Sequence, residues 1–208
     1  MSRARILATA TAPSPKPPRF AFVKTSAWGS ADPATHHAFG ALVDRLGASV
    51  REISIDPTFE AGTRAAQTVQ DVEMAASYGP ILDRAPGVLS TGLTAGIERG
   101  RRVPGIAYID ALNARARYAA ALEEIFRDHA AILTPAAPGI APKGLARTGD
   151  PVFCGFWTYL GLPAVTLPLL EADAMPMGVQ LVGAHRDDGR LLAVARWLAA
   201  QEAERRRR

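Results

Sequence analysis

Apolar residues recur along this chain with two periods that alternate from segment to segment. A short apolar run from Arg19 to Lys24 suits a buried strand. Asp32 and Pro33 supply an N-cap and a first helical residue, after which Phe39, Leu42, Val43 and Leu46 follow at helical spacing until Gly47 ends the helix. Val50, Ile53 and Ile55 then stand among Arg51, Glu52 and Ser54 as a second strand. Strand, helix and strand in quick succession form a β-α-β unit, which predicts parallel strands and a right-handed crossover.

Helical composition predicts a helix from Phe59 to Arg84, ending near Pro80 or Pro86, with Met74 and Tyr78 facing the core. Gly87 to Gly105 gives no clear pattern. Tyr108, Leu112, Ala119, Leu122, Ile125 and Phe126 mark the longest helix, with Arg115 and Arg117 on its polar side. Ala131 to Thr134 reads as a short strand stopped by Pro135 and Pro138, and Pro151 to Leu160 as a helix. Two short strands follow at Ala164 to Leu167 and Met177 to Val182, and a helix from Asp188 buries Leu191, Leu192, Val194, Ala195 and Leu198. The last two strands are joined by a short connection, so the expected fold class is an α/β sandwich with a mixed sheet.

Composition narrows the functional classes. The 208 residues are 48% hydrophobic and 21% charged, the profile of one sizeable core. Residues 1 to 18 end in a proline-dense stretch and read as a linker, leaving residues 19 to 204 as the folded domain. The net charge of +4 comes from Arg205 to Arg208, read as a basic tail, so the body is formally neutral and no nucleic-acid partner is expected. No apolar run approaches a membrane span, and secretion is not expected from the short, threonine-broken stretch after Arg3 and Arg5. The single Cys154 excludes an intramolecular disulfide and fits a reducing, cytoplasmic compartment.

Most catalytic signatures are missing. There is no phosphate-cradling glycine loop and no His-Glu-x-x-His, and His36, His37, His129 and His185 are not spaced as metal ligands, so neither cofactor nor metal is expected. Ser90 lacks the spacing of a nucleophile elbow. Cys154 reads as a small buried hydrophobe beside Phe153 and Phe156, with no histidine near it in sequence to activate it.

The carboxyl-terminal half carries more specific wording. Ile132-Leu133-Thr134-Pro135 is followed by Thr148-Gly149-Asp150-Pro151-Val152-Phe153. Then come Trp157 to Pro168 with the Gly161-Leu162-Pro163-Ala164 turn, and Met175-Pro176-Met177-Gly178-Val179-Gln180-Leu181-Val182-Gly183. Gly161 and Pro163 make a tight helix-to-strand turn, and Pro163 and Pro168 bracket a strand that is either well buried or an edge stopped at both ends. Asp150 can cap the helix after it, Trp157 reads as core, and Gln180 reads as satisfying backbone groups near the sheet end. In order and spacing these pieces resemble the carboxyl-terminal part of the amidase signature family, including the amidases similar to the A-subunit of glutamyl-tRNA amidotransferase. The resemblance is strongest over residues 131 to 200, and the opening from Arg19 is similar to the segment after the family's serine-rich region. It implies part of an α/β/α sandwich, and hydrolysis of a carboxylic amide to an acid and ammonia or an amine. It also implies that the loop and helix carrying Asp150, Phe153 and Trp157 lie beside the substrate.

The resemblance breaks at the reacting groups. Family members use a lysine, a bridging serine and a nucleophilic serine, with glycine-serine-rich backbone holding the oxyanion. No Gly-Gly-Ser-Ser-Gly-Gly-like run is present, and Lys16, Lys24 and Lys143 do not match the family lysine. No catalytic residue is therefore assigned. Three expectations stay open: a carboxyl-terminal amidase portion inactive alone, one half of a split amidase completed by an amino-terminal half, or a non-catalytic binding or interaction domain. Removing part of a shared sheet exposes strand edges, so association, including with further copies of the chain, is also expected.

Overall fold

The computed structural model describes residues 3–12, 16–55, 59–145 and 148–207. Five strands form one sheet: β1 (Phe20–Lys24), β2 (Val50–Ser54), β3 (Ala131–Pro135), β4 (Ala164–Ala172) and β5 (Met175–Val182). Their spatial order is β2-β1-β3-β5-β4. β1 is parallel to β2 and β3, while β5 is antiparallel to β3 and β4. The mixed sheet expected from the sequence is therefore present, with the parallel β-α-β pair joined through α2 (Pro33–Leu46).

Alternation along the strands builds the core. Phe20, Phe22, Leu133, Val179 and Leu181 point to one face and pack with Phe39 and Leu42 of α2 and with Leu191, Val194, Ala195 and Leu198 of the closing helix α7 (Asp188–Arg206). α7 lies against β4 and β5 through this face, and its Glu202 is 3% exposed. That carboxylate receives Arg45 Nη2 from α2 at 3.3 Å and Arg205 Nη2 at 3.1 Å, tying the two helices together. Both arginines reach solvent, which tempers the effect. Glu202→Ala is expected to cost about 1–2 kcal/mol, seen as a lower urea midpoint at unchanged slope.

Several local expectations change. Residues 3–11, read as linker, form helix α1 (Arg3–Thr11). It lies on α7, where Arg196 donates to the carbonyls of Thr11 (3.0 Å) and Ala12 (2.7 Å). Local composition hides this because the docking partner is nearly two hundred residues away. Residues 13–15 of the proline-dense stretch lie outside the described residues. The arginines read as a basic tail partly continue α7, and Arg206 donates to Leu169 O at 2.8 Å on β4. β4 does not stop at Pro168 but continues through a register shift between Leu167 and Leu170. It is an edge strand, where the missing proline N–H is tolerated. Asp173 and Ala174 turn the chain into β5 with φ of 50° and 59°.

The chain divides into two compact units, one of residues 1–56 and 120–208, the other of residues 57–119. The second holds α3 (Phe59–Arg84), α4 (Thr91–Arg101) and the start of α5 (Gly105–Asp128). α3, at 26 residues, is longer than α5 at 24, and it runs through Pro80 one turn before its end. Tyr78, expected in the core, is 46% exposed, and Met74 is half-buried. The unpatterned stretch after Gly87 contains α4, started by Ser90, whose Oγ accepts Leu93 N–H at 3.3 Å. α4 packs along α3, where Asp71 is buried and takes two hydrogen bonds from Arg99 (2.9 and 3.0 Å) and one from Gln67 (2.9 Å). The hydrogen bonds to Asp71, and then its charge, hold the Arg99 guanidinium protonated above its ordinary range.

Candidate active-site cleft

The chain leaves β1 toward β2 on one side and returns in β3 on the other, so the loops after β1 and β3 diverge at their carboxyl ends. Such a switch point opens a crevice for ligands in an α/β sheet. A cleft of about 750 Å³ lies there, walled by Asp32 after β1, residues 136–142 after β3, residues 148–151, and Thr166, Pro176 and Gly178 from the antiparallel strands.

The two loops are pinned together. Pro138 O accepts both the Asp32 N–H (2.8 Å) and the Thr35 hydroxyl (2.7 Å). Asp32 stands at the N-cap of α2, yet its side chain makes no capping hydrogen bond. It lies against Gly139, where a Cβ would overlap the carboxylate in this position. Gly178 has the same role in the wall: a Cβ there would meet Thr166 Cγ2 at 2.6 Å and Ala136 Cβ at 2.8 Å.

Register puts polar residues on the sheet face that carries Thr166. Gln180 is paired with Thr134 on β3 and with Thr166 on β4, and opposed residues of antiparallel strands share a face. Among the described residues the Gln180 side chain bonds no backbone group, unlike the expectation from sequence. Its Nε2 donates to Cys154 Sγ at 3.3 Å, and that thiol meets Ala136 O at 3.3 Å. Gln180 Oε1 and Thr134 Oγ1 are buried with no partner among the described residues. Cys154 is half-buried and bridges this face to α6 (Gly155–Leu160), rather than being a simple buried hydrophobe.

Of the three residues named from sequence, only Asp150 lines the cleft. It is exposed, and its Oδ1 accepts the Val152 N–H at 2.9 Å, closing the turn before α6 instead of capping a helix. The helix itself starts at Gly155 and not at Pro151. Phe153 is buried in a small cluster with Ala27, Ala31 and Val152. Trp157 is 1% exposed, with its ring centroid 5.4 Å from that of Phe156. Neither lines the cleft. Asp32, Thr166 and the 136–142 loop are wall residues that sequence reasoning misses, because capping and turn formation already account for an Asp-Pro pair and a run of small residues.

Other chemistry-bearing residues have structural roles. Lys24 pairs with Glu52 at 2.7 Å, and Ser90 caps α4. His36 packs edge-on against Trp28 with centroids 4.5 Å apart, His129 is buried, and His37 and His185 are exposed. Among the described residues no group of three or more His, Cys, Asp or Glu could hold a metal ion, and no helix is long and apolar enough to cross a membrane. The cleft wall contains hydroxyls from Thr148 and Thr166 and, among the described residues, no lysine, histidine or serine.

Comparison with known proteins adds four findings. The family model described as Amidase matches residues 2–192. The A-subunit of glutamyl-tRNA(Gln) amidotransferase from Lacticaseibacillus casei is 35% identical over 86 residues, 38% of this chain and 18% of that protein. Human fatty-acid amide hydrolase 2 is 36% identical over 81 residues, 37% of this chain and 15% of that protein. A solved amidase structure superposes with a TM-score of 0.79 at 24% identity, covering 91% of this chain and 47% of the other, a likeness of fold. The chain thus spans less than half the length of these relatives.

Proposed function

This chain belongs to the amidase family, and we propose that it supplies the carboxyl-terminal wall of an amide-cleaving site whose nucleophile lies outside these 208 residues. In the complete site a serine Oγ attacks the amide carbonyl, forming an acyl ester while the proton passed through the second serine and the lysine leaves with the ammonia or amine. Water then releases the acid. This chain's part is to hold the substrate against that serine, with Asp150, Thr166 and the 136–142 loop as the wall. Phe153 and Trp157 support the wall from behind and do not touch the ligand.

One observation carries the reading: in a chain that the amidase family model matches, the cleft at the sheet switch point has threonines and carboxylates but no serine and lysine pair in its described wall. The edge of β4 from Ala164 to Leu167, beyond its pairing with β5, is where further strands would extend the sheet. The lone cysteine is consistent with work in a reducing cytoplasm.

The test is reconstitution. The purified chain alone is expected to hydrolyse no carboxylic amide above background. Co-expression with an amino-terminal amidase segment carrying the lysine and both serines is expected to raise hydrolysis by roughly three orders of magnitude or more. Turnover by the chain alone, or a stable complex without turnover, contradicts the proposal.

A further inference from the structure

We infer that Gln180 is a positioning residue: through the Cys154 thiol it holds two segments of the cleft wall in place, and so sets how a substrate amide fits between them. This rests on the reading above for the cleft's use, and on the hydrogen bonds of the sheet for the positioning. The two segments are residues 136–142 and 148–151, both in the wall. Cys154 is joined to each of them. Its Sγ–H donates to Ala136 O at 3.3 Å, and its backbone N–H donates to Pro151 O at 2.8 Å. β3 ends at Pro135, so Ala136 is the residue at which the first segment leaves the sheet. Its N–H donates to Gly178 O at 3.2 Å, and Cys154 takes its carbonyl, so it is held on both sides.

The thiol serves in this way only while its proton points at Ala136 O, and Gln180 decides that. Gln180 Nε2 donates to Sγ at 3.3 Å, which engages the sulfur as an acceptor and leaves its one proton for the carbonyl. Turned over, the amide would present Oε1 to the sulfur and compete with Ala136 O for that proton. The observed orientation is kept at a cost. Gln180 is 4% exposed, and its Oε1 has no partner among the described residues; neither has Oγ1 of Thr134, which stands opposite it on β3. Buried polar groups are nearly always paired, so an amide that leaves its oxygen idle has its orientation set by what its nitrogen holds. Register carries the same unit into the other strands of the wall. Gln180 stands opposite Thr166, and Gly178 lies two residues before it; both line the cleft. A hydroxyl at position 154 could accept and donate in the same directions as the thiol, whereas a methyl group could do neither.

Amide hydrogen exchange at Ala136 in the full chain is the first readout. Cys154→Ala is expected to speed it about tenfold and Gln180→Met about threefold or more, with Cys154→Ser staying near the parent rate. In the Cys154→Ala background Gln180→Met is expected to add nothing, because the two act as one unit; independent loosening of the fold would multiply the two effects. Exchange in β1 stays at the parent rate. Equal loss in the serine and alanine variants, multiplied effects, or parent-like exchange in a folded Cys154→Ala overturns the inference. The two Cys154 variants leave the sheet residues untouched and decide the matter even if Gln180→Met does not fold. In the reconstituted complex, Cys154→Ala is expected to raise KM for n-butyramide about fivefold with little change in kcat, and Cys154→Ser to restore it. An active complex with unchanged KM overturns the positioning role. Failure to form any active complex is failure of the earlier reading, and the exchange measurements then decide this one by themselves.

Discussion

Trp157→Ala is expected to destabilise the sheet-containing unit by about 3–5 kcal/mol, the range for truncating a large buried aromatic. The residue is 1% exposed, stacked at a tilt against Phe156, and its carbonyl accepts the Leu162 N–H at 3.1 Å in the turn that leads to β4. Truncation leaves a cavity beneath α6 and loosens the segment from Cys154 to Ala164, which backs the cleft. For a domain whose whole stability is about 5–15 kcal/mol, that is a large fraction. Thermal unfolding is the measurement, with a drop of roughly 10 °C expected. If Trp157 were a wall contacting ligand, the variant would keep its melting temperature and lose binding; the structure predicts the opposite order of effects.

Gly100→Val is expected to separate α4 from α3. A Cβ at Gly100 would overlap the carbonyl of Asp71 and stand 2.9 Å from Ala75 Cβ, both on a neighbouring helix that cannot give way as a flexible side chain would. Gly96 and Gly100 lie one turn apart on the same face of α4, where Gly96 faces the Met74 sulfur. The glycines lower helix propensity but allow close approach, and the bidentate Arg99–Asp71 contact depends on it. Overpacking against rigid backbone costs about 1–3 kcal/mol or more. Hydrogen exchange is expected to rise across residues 64–101 and to stay near the parent value in β1, β3 and β5. Unchanged protection in α3 and α4 would show that the close approach is not needed.

How much of the fold is legible in the sequence depends on whether the partner of each residue is near in the chain. Phe39, Leu42 and Leu46 declare α2, and the alternation through Val179 and Leu181 declares β5, because period alone marks a face that must be buried. The short connection after β4 correctly implies an antiparallel pair and so a mixed sheet. α1 is not legible, since its helix is stabilised by docking on α7, and α4 is obscured by the glycines that its packing requires. Tyr78 fits a helical stripe but falls on the solvent side of α3.

The cleft is legible only at Asp150. Asp32 reads as an N-cap, a role its position fulfils but its side chain does not, because the carboxylate turns toward Gly139 instead. That turn depends on a loop more than one hundred residues later. Gln180 reads as a backbone-satisfying residue because alternation fixes which face it occupies but not what stands there; Cys154 does. The absence of a Gly-Ser-rich run is plain in the sequence, and it is the feature on which the functional account turns.

That account is tested most directly by intact-mass and peptide mass spectrometry after treatment with a serine-directed fluorophosphonate. The chain by itself is expected to keep its unmodified mass, and in the reconstituted complex a single adduct is expected on the serine of the amino-terminal segment. A stoichiometric adduct on any side chain of these 208 residues, formed without that segment, would contradict it.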